Sequence, residues 1–213
     1  MNKEWFEDTA SELTHVLAAI MQVKPSAADR IVNASVAKLG AVGATAGVYG
    51  LASLVGTAGT GTAIGTLSGA AANSATLAWI GGSVFTGTIV LVGIAGLTGW
   101  GAMRLWKGKP REYSDLAEIE QNIVNACVNL AKAFKEEASS HNIPSKAVME
   151  TVVGQGLKPL LKTLDEYLTL DQYSEIATGN LSVSGRTRLY YRFRKLSKKT
   201  KQADLWVEQY VGR

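Results

Sequence analysis

The sequence predicts an all-α protein in which a membrane helical hairpin, or a three-segment helical bundle packed through glycine, is joined to a soluble helical C-terminal domain. Three observations carry this. No Lys, Arg, Asp, Glu or His occurs between Lys38 and Arg104, although 19% of the chain is charged. Within that run glycines recur four residues apart, and outside it apolar residues recur three and four apart, the period of a helix with one buried face. A bilayer-spanning helix needs about 20 mostly apolar residues, so the run is long enough for two or three crossings. The expected divisions are 1–35, an amphipathic N-terminal helical region; 36–107, the membrane region; and 108–213, a cytoplasmic helical domain with a basic C-terminal stretch.

The opening residues, with Glu4, Glu7 and Asp8, are acidic and have no apolar run behind a basic cap, so a cleavable signal peptide is not expected and the N-terminus is assigned to the cytoplasm. Residues 2–23 read as an amphipathic helix through Trp5, Phe6, Leu13, Val16, Leu17, Ile20 and Met21, with acids loading its first turns. Its apolar face needs a partner: the C-terminal domain, a neighbouring subunit or the bilayer surface. Pro25 ends this helix, and Ser26 with Asp29 three residues on marks the start of the next.

The uncharged run divides into segments 36–55, 60–80 and 83–106, separated where glycine lets the chain turn cheaply. The third, with Phe85, Ile89, Val90, Leu91 and Val92, is apolar enough to insert unaided. The second is marginal, yet Gly61, Gly65 and Gly69 stand four apart and Asn73 extends the row, leaving one helix face as nearly bare backbone. Gly43 and Gly47 on the first segment and Gly93, Gly96 and Gly99 on the third add faces of the same kind. In lipid, such faces drive helix association by close van der Waals contact, within one chain or between copies. A homo-oligomer is the expected outcome, a hairpin packed within one subunit the alternative.

The tract over 60–82, TGTAIGTLSGAAANSATLAWIGG, resembles the Gly/Ala-rich signature of bacterial glycine-zipper membrane proteins, a group mostly of unknown function. It covers about a tenth of the chain. The glycine run that usually follows the tryptophan is shortened here to Gly81 and Gly82, which alters the turn after it. The resemblance implies oligomerisation in a bilayer, as in pore-forming and membrane-inserting proteins, and assigns no activity.

Basic residues flank the run on both sides, Lys24, Arg30 and Lys38 before it and Arg104, Lys107, Lys109 and Arg111 after it, so both termini are expected on the cytoplasmic face of a bacterial inner membrane. After Pro110, Ser114 is a candidate cap for a helix whose Leu116, Ile119, Ile123, Cys127, Leu130 and Phe134 form a narrow packing seam. A further helix begins near Ser145, is interrupted at Gly154 and Gly156, and continues as a leucine stripe through Leu160, Leu161, Leu164 and Leu168. The helices of 114–178 are a candidate surface for a regulatory protein partner.

The last stretch carries Arg186, Arg188, Arg192, Arg194, Lys195, Lys198, Lys199 and Lys201 with no intervening acid, interleaved with Tyr190, Tyr191 and Phe193. Three readings stay open for it: a solvated helix face, contact with anionic lipid, or contact with nucleic acid or another acidic partner.

No enzyme or cofactor chemistry is expected. His15 and His141 lie apart with no cysteine nearby, the glycine tract lacks the Lys of a phosphate loop, and Cys127 falls on the seam, where core packing outweighs nucleophilic use. The pairs Glu136/Glu137 and Asp165/Glu166 read as solvated faces. The leading expectation is a pore-forming or membrane-disrupting effector, toxin-like or phage-defence-like, regulated by its cytoplasmic helices. The alternatives are a non-conducting membrane anchor or scaffold that recruits a partner, and a basic nucleic-acid-binding protein.

Overall fold

The computed structural model describes residues 2–39, 110–139, 144, 146–173 and 181–209. These residues form helices and no strand. The elements are α1 (Lys3–Ile20), α2 (Pro25–Leu39), a 3-10 turn (Tyr113–Asp115), α3 (Glu118–Ser139), α4 (Lys146–Thr151), a π-helical turn (Val152–Leu157), α5 (Lys158–Tyr173) and α6 (Val183–Gln209). Among the described residues no helix is long and apolar enough to cross a membrane. The uncharged run between Lys38 and Arg104, including the glycine series, lies almost entirely outside them.

Helix α1 begins where the Asn2 side chain accepts a hydrogen bond from the Trp5 N–H at 3.1 Å. It ends where Val23 N–H donates to Ala18 O and Gln22 N–H to Ala19 O, a Schellman closure with Gln22 at φ 53° in the position glycine usually takes. The expected stripe is buried, and so are Thr9, Glu12, Thr14, Ala18 and Ala19, because α1 packs against α2, α3 and α6. Its buried hydroxyls are satisfied locally, Thr9 donating to Trp5 O and Thr14 to Ala10 O. The partner of its apolar face is thus the C-terminal part of the same chain.

Pro25 does not end α1, which closes at Gln22 and Val23; it opens α2, where its ring fixes φ at a first helical position that needs no N–H, while Lys24 O accepts from Ala27 and Ala28. Ser26 therefore stands inside the first turn and not before it. Ala28, Ile31 and Val32 bury against α1 and α3, and Lys135 of α3 donates to Asn33 Oδ1 at 2.9 Å and to Asp29.

Helix α3 is the centre of the bundle. The seam residues Leu116, Ile123, Cys127, Leu130 and Phe134 are buried, but Val124, Ala126, Val128, Ala131, Ala133 and Ala138 are buried too. The narrow seam is widened because α1, α2 and α5 all lie on this helix, and small alanines let them approach. Ser114 does not cap it. It sits in the 3-10 turn, and α3 starts at Glu118 with the Glu120 carboxylate accepting from Ala117 N–H. Trp5, Phe6 and Phe134 close one end of the core, with ring centroids 5.1 to 5.9 Å apart.

Gly154 and Gly156 do not interrupt the next helix; they fall in the π turn that links α4 to α5 without a break. Pro159 supplies one reason, since it has no N–H and its ring would strike the carbonyl four residues back in a regular helix. Gly156 supplies another, because a Cβ there would stand 3.0 Å from Leu130 Cδ2, so the bare backbone is what lets this turn touch α3. Helix α6 is capped by Ser182, whose Oγ accepts from Gly185 N–H at 3.2 Å, and runs antiparallel to α1.

Candidate functional sites: a buried arginine at the return of the chain and the cations of α6

Arg111, the residue after Pro110, is held through both its backbone and its side chain. Arg111 N–H donates to Met21 O at 3.0 Å, and Arg111 Nη1 lies 3.3 Å from Ile20 O, both at the end of α1. Its guanidinium meets Glu120 of α3 in a two-pronged pair, Nη1 to Oε1 and Nη2 to Oε2 at 2.6 Å each. Tyr167 of α5 donates its hydroxyl to Glu120 Oε1 at 2.5 Å, and Ala117 N–H donates to Oε2 at 2.9 Å. Arg111, Glu120 and Tyr167 are 6%, 1% and 1% exposed. Through Arg111 and Tyr167, the end of α1 and α5 are thereby joined to α3 at one carboxylate.

Burial alone pushes the Glu120 carboxyl up, but the hydrogen bonds from Arg111, Tyr167 and Ala117 outweigh it and hold its pKa below the usual carboxylate range. Burial likewise opposes the Arg111 charge, and Glu120 more than restores it. With both oxygens of Glu120 engaged by donors, this site positions chain segments and offers no general base. From sequence, Arg111 is one of the positive charges that flank the uncharged run. A signal was present: Glu120 falls four residues after Leu116 and three before Ile123, on the buried line of α3, where a carboxylate requires a cationic partner.

The eight predicted cations all lie on α6. Three face α1. Arg192 Nη1 reaches Glu12 Oε1 and Oε2 at 3.2 and 3.1 Å, Lys195 lies 3.5 Å from Glu12 Oε1, and Lys199 pairs with Asp8 at 2.6 Å. The Lys195 ammonium is held above its ordinary pKa, by Tyr191 first and then by Glu12. The Trp5 indole N–H donates to Lys199 O at 3.3 Å and extends this seam. Arg188 Nε donates to Ser184 O at 3.0 Å, along its own helix, and Arg186 is half-buried near the helix start. Arg194, Lys198 and Lys201 are exposed and point away from the bundle beside Tyr190 and Tyr191, which are 51% and 53% exposed. Arg194 lies over the Tyr190 ring, 5.9 Å from its centroid.

The other sequence-predicted site residues, Gly43, Gly47, Gly61, Gly65, Gly69, Asn73, Gly93, Gly96 and Gly99, lie outside the described residues. No family model matches the chain, and no curated protein or solved structure does. Cys127 is fully buried in the α3 core, where burial pushes its thiol pKa up and leaves it unreactive. His15 bonds to Ser11 O of its own helix, and among the described residues no cluster of His, Cys, Asp and Glu suits a metal ion. Asp165 and Glu166 are exposed as expected, but Glu137 is 5% exposed, because α3 is covered on more sides than its polar spacing suggests.

Proposed function

We propose that this protein is a membrane-active, oligomeric effector of the bacterial inner membrane. In this reading its uncharged run assembles through glycine faces and permeabilises the bilayer, under the control of the helical bundle. The observation that carries the reading is the way the bundle is assembled. It is made from both sides of the uncharged run, α1 and α2 before it and α3 to α6 after it, and the chain's return is pinned by Arg111 into the core. A bundle of this kind holds both ends of a membrane segment, so a rearrangement in one is transmitted to the other. A passive tether needs only one attachment.

The test is growth and membrane potential in a bacterial host after induction of the wild-type chain beside Gly65→Leu, which fills the glycine face of the second segment. Depolarisation and arrest with wild type, lost in the variant while both remain in the membrane fraction, support an assembled pore. Intact potential at high expression of wild type returns the protein to the anchor reading.

A further inference from the structure

The basic stretch of α6 is two surfaces, not one. The side turned toward α1 is occupied, its Arg192, Lys195 and Lys199 holding Glu12 and Asp8. The opposite side is a stripe three and four residues apart, formed by Tyr190, Arg194, Lys198, Lys201 and Leu205, all exposed, with Leu205 at 57%, and the exposed Tyr191, whose ring also meets Arg192 and Lys195, borders it. Over 190–205 this stripe carries no acid: Asp204 is directed to Lys158 at 2.8 Å, and the exposed Glu208, three residues after Leu205, follows at its C-terminal end.

We infer that this outward face of α6 is a docking surface for an anionic phospholipid bilayer. Charge selects the face. Among the described residues the exposed side of α1 sets Lys3 against Glu4, Glu7 and Asp8, that of α5 alternates Lys158 and Lys162 with Asp165 and Glu166, and the start of α2 exposes Lys24 and Arg30 with no aromatic side chain beside them, so α6 is the face that joins cations to aromatic rings. The α6 stripe combines three cations with two tyrosines and a leucine, side chains that settle at the headgroup boundary with their apolar bodies in and their polar ends in water.

Geometry agrees. Pro110 stands at the Glu120 end of α3, whereas α2 meets Lys135, about four turns away, before reaching Leu39. A bundle attached to a membrane at both points lies along the bilayer, which is the posture that lets a long surface helix touch headgroups over its length. The inference rests on the membrane reading above for proximity, and names the lipid class that the bundle itself recognises.

The test uses the full chain carrying Gln202→Cys, an exposed position beside the stripe, with the buried Cys127 as an unreactive background. The chain is mixed with, or reconstituted into, vesicles of phosphatidylcholine alone or with phosphatidylglycerol, and labelled with a water-soluble maleimide. Flotation with both vesicle types reports membrane insertion separately. The expected result is slower labelling in the anionic vesicles only, relieved by high salt and relieved about fivefold per cation removed in Arg194→Gln, Lys198→Gln and Lys201→Gln, matching the attraction of one basic residue to an anionic surface. Equal labelling in both vesicle types overturns the docking surface while flotation leaves the membrane reading standing. Protection by an RNA or DNA oligonucleotide without protection by anionic vesicles also overturns it.

Discussion

Arg111 and Arg192 each hold a glutamate of a helix, Glu120 of α3 and Glu12 of α1, yet they do different work. Arg111 and Glu120 expose 7% and 1% of their side chains, and Tyr167 completes the pair in a site without bulk water. Arg192 and Glu12 expose 25% and 12%, and Lys195, 44% exposed, shares the same carboxylate. A desolvated pair cannot lose one member without leaving a charge stranded, whereas a pair that water still reaches is resolvated and screened by salt. The first fixes the segment before α3 against α1 and α5; the second aligns α6 on α1 and leaves Arg194, Lys198 and Lys201 facing outward.

The largest effect that sharpens this contrast is Glu120→Gln, which strands Arg111. It should destabilise the bundle by about 3–5 kcal/mol, read as a lowered urea midpoint of the detergent-solubilised full chain. Because the pKa of Glu120 is lowered on folding, its contribution is present above the ordinary carboxylate pKa and is lost as pH falls through the folded value. Stability measured against pH should therefore fall in acid with a component that Glu120→Gln removes. Tyr167→Phe removes one bond to the same charge and should cost about 1.5–3 kcal/mol by the same measurement.

The two glycines of the π turn make a paired test of packing. Gly156→Ala crowds Leu130 and should cost about 1–3 kcal/mol, while Gly154→Ala, with nothing within 4 Å of its added Cβ, should be neutral or slightly stabilising. The smallest effect belongs to the seam: Glu12→Gln should cost about 1 kcal/mol or less, and the difference from wild type should shrink in high salt. A Glu12→Gln loss equal to that of Glu120→Gln would erase the distinction between the two pairs.

The helical class and the faces of α1 and α3 were legible because helices bury apolar residues at a fixed period, and Trp5, Leu13, Leu17, Ile123, Cys127 and Leu130 keep that period. What pattern could not give was the number of neighbours. Alanines at 126, 131 and 133 of α3 count little as hydrophobes, and they are what lets several helices close on it. Glycines 154 and 156 read as a break because local propensity says so; contact with Leu130 and the needs of Pro159 make them a continuous turn instead. The eight cations of α6 were found as a run, but periodicity alone did not say which of them Asp8 and Glu12 would claim, since those acids lie near the other end of the chain. Of the candidate sites, Arg111 with Glu120 and Tyr167 was legible only as a charge on an apolar line.

The most direct test of the functional account is ion leak from vesicles into which the purified full chain has been reconstituted. Wild type should discharge a potassium gradient, and Gly65→Leu, inserted to the same level, should not. Vesicles that stay sealed with wild type fully inserted would contradict it.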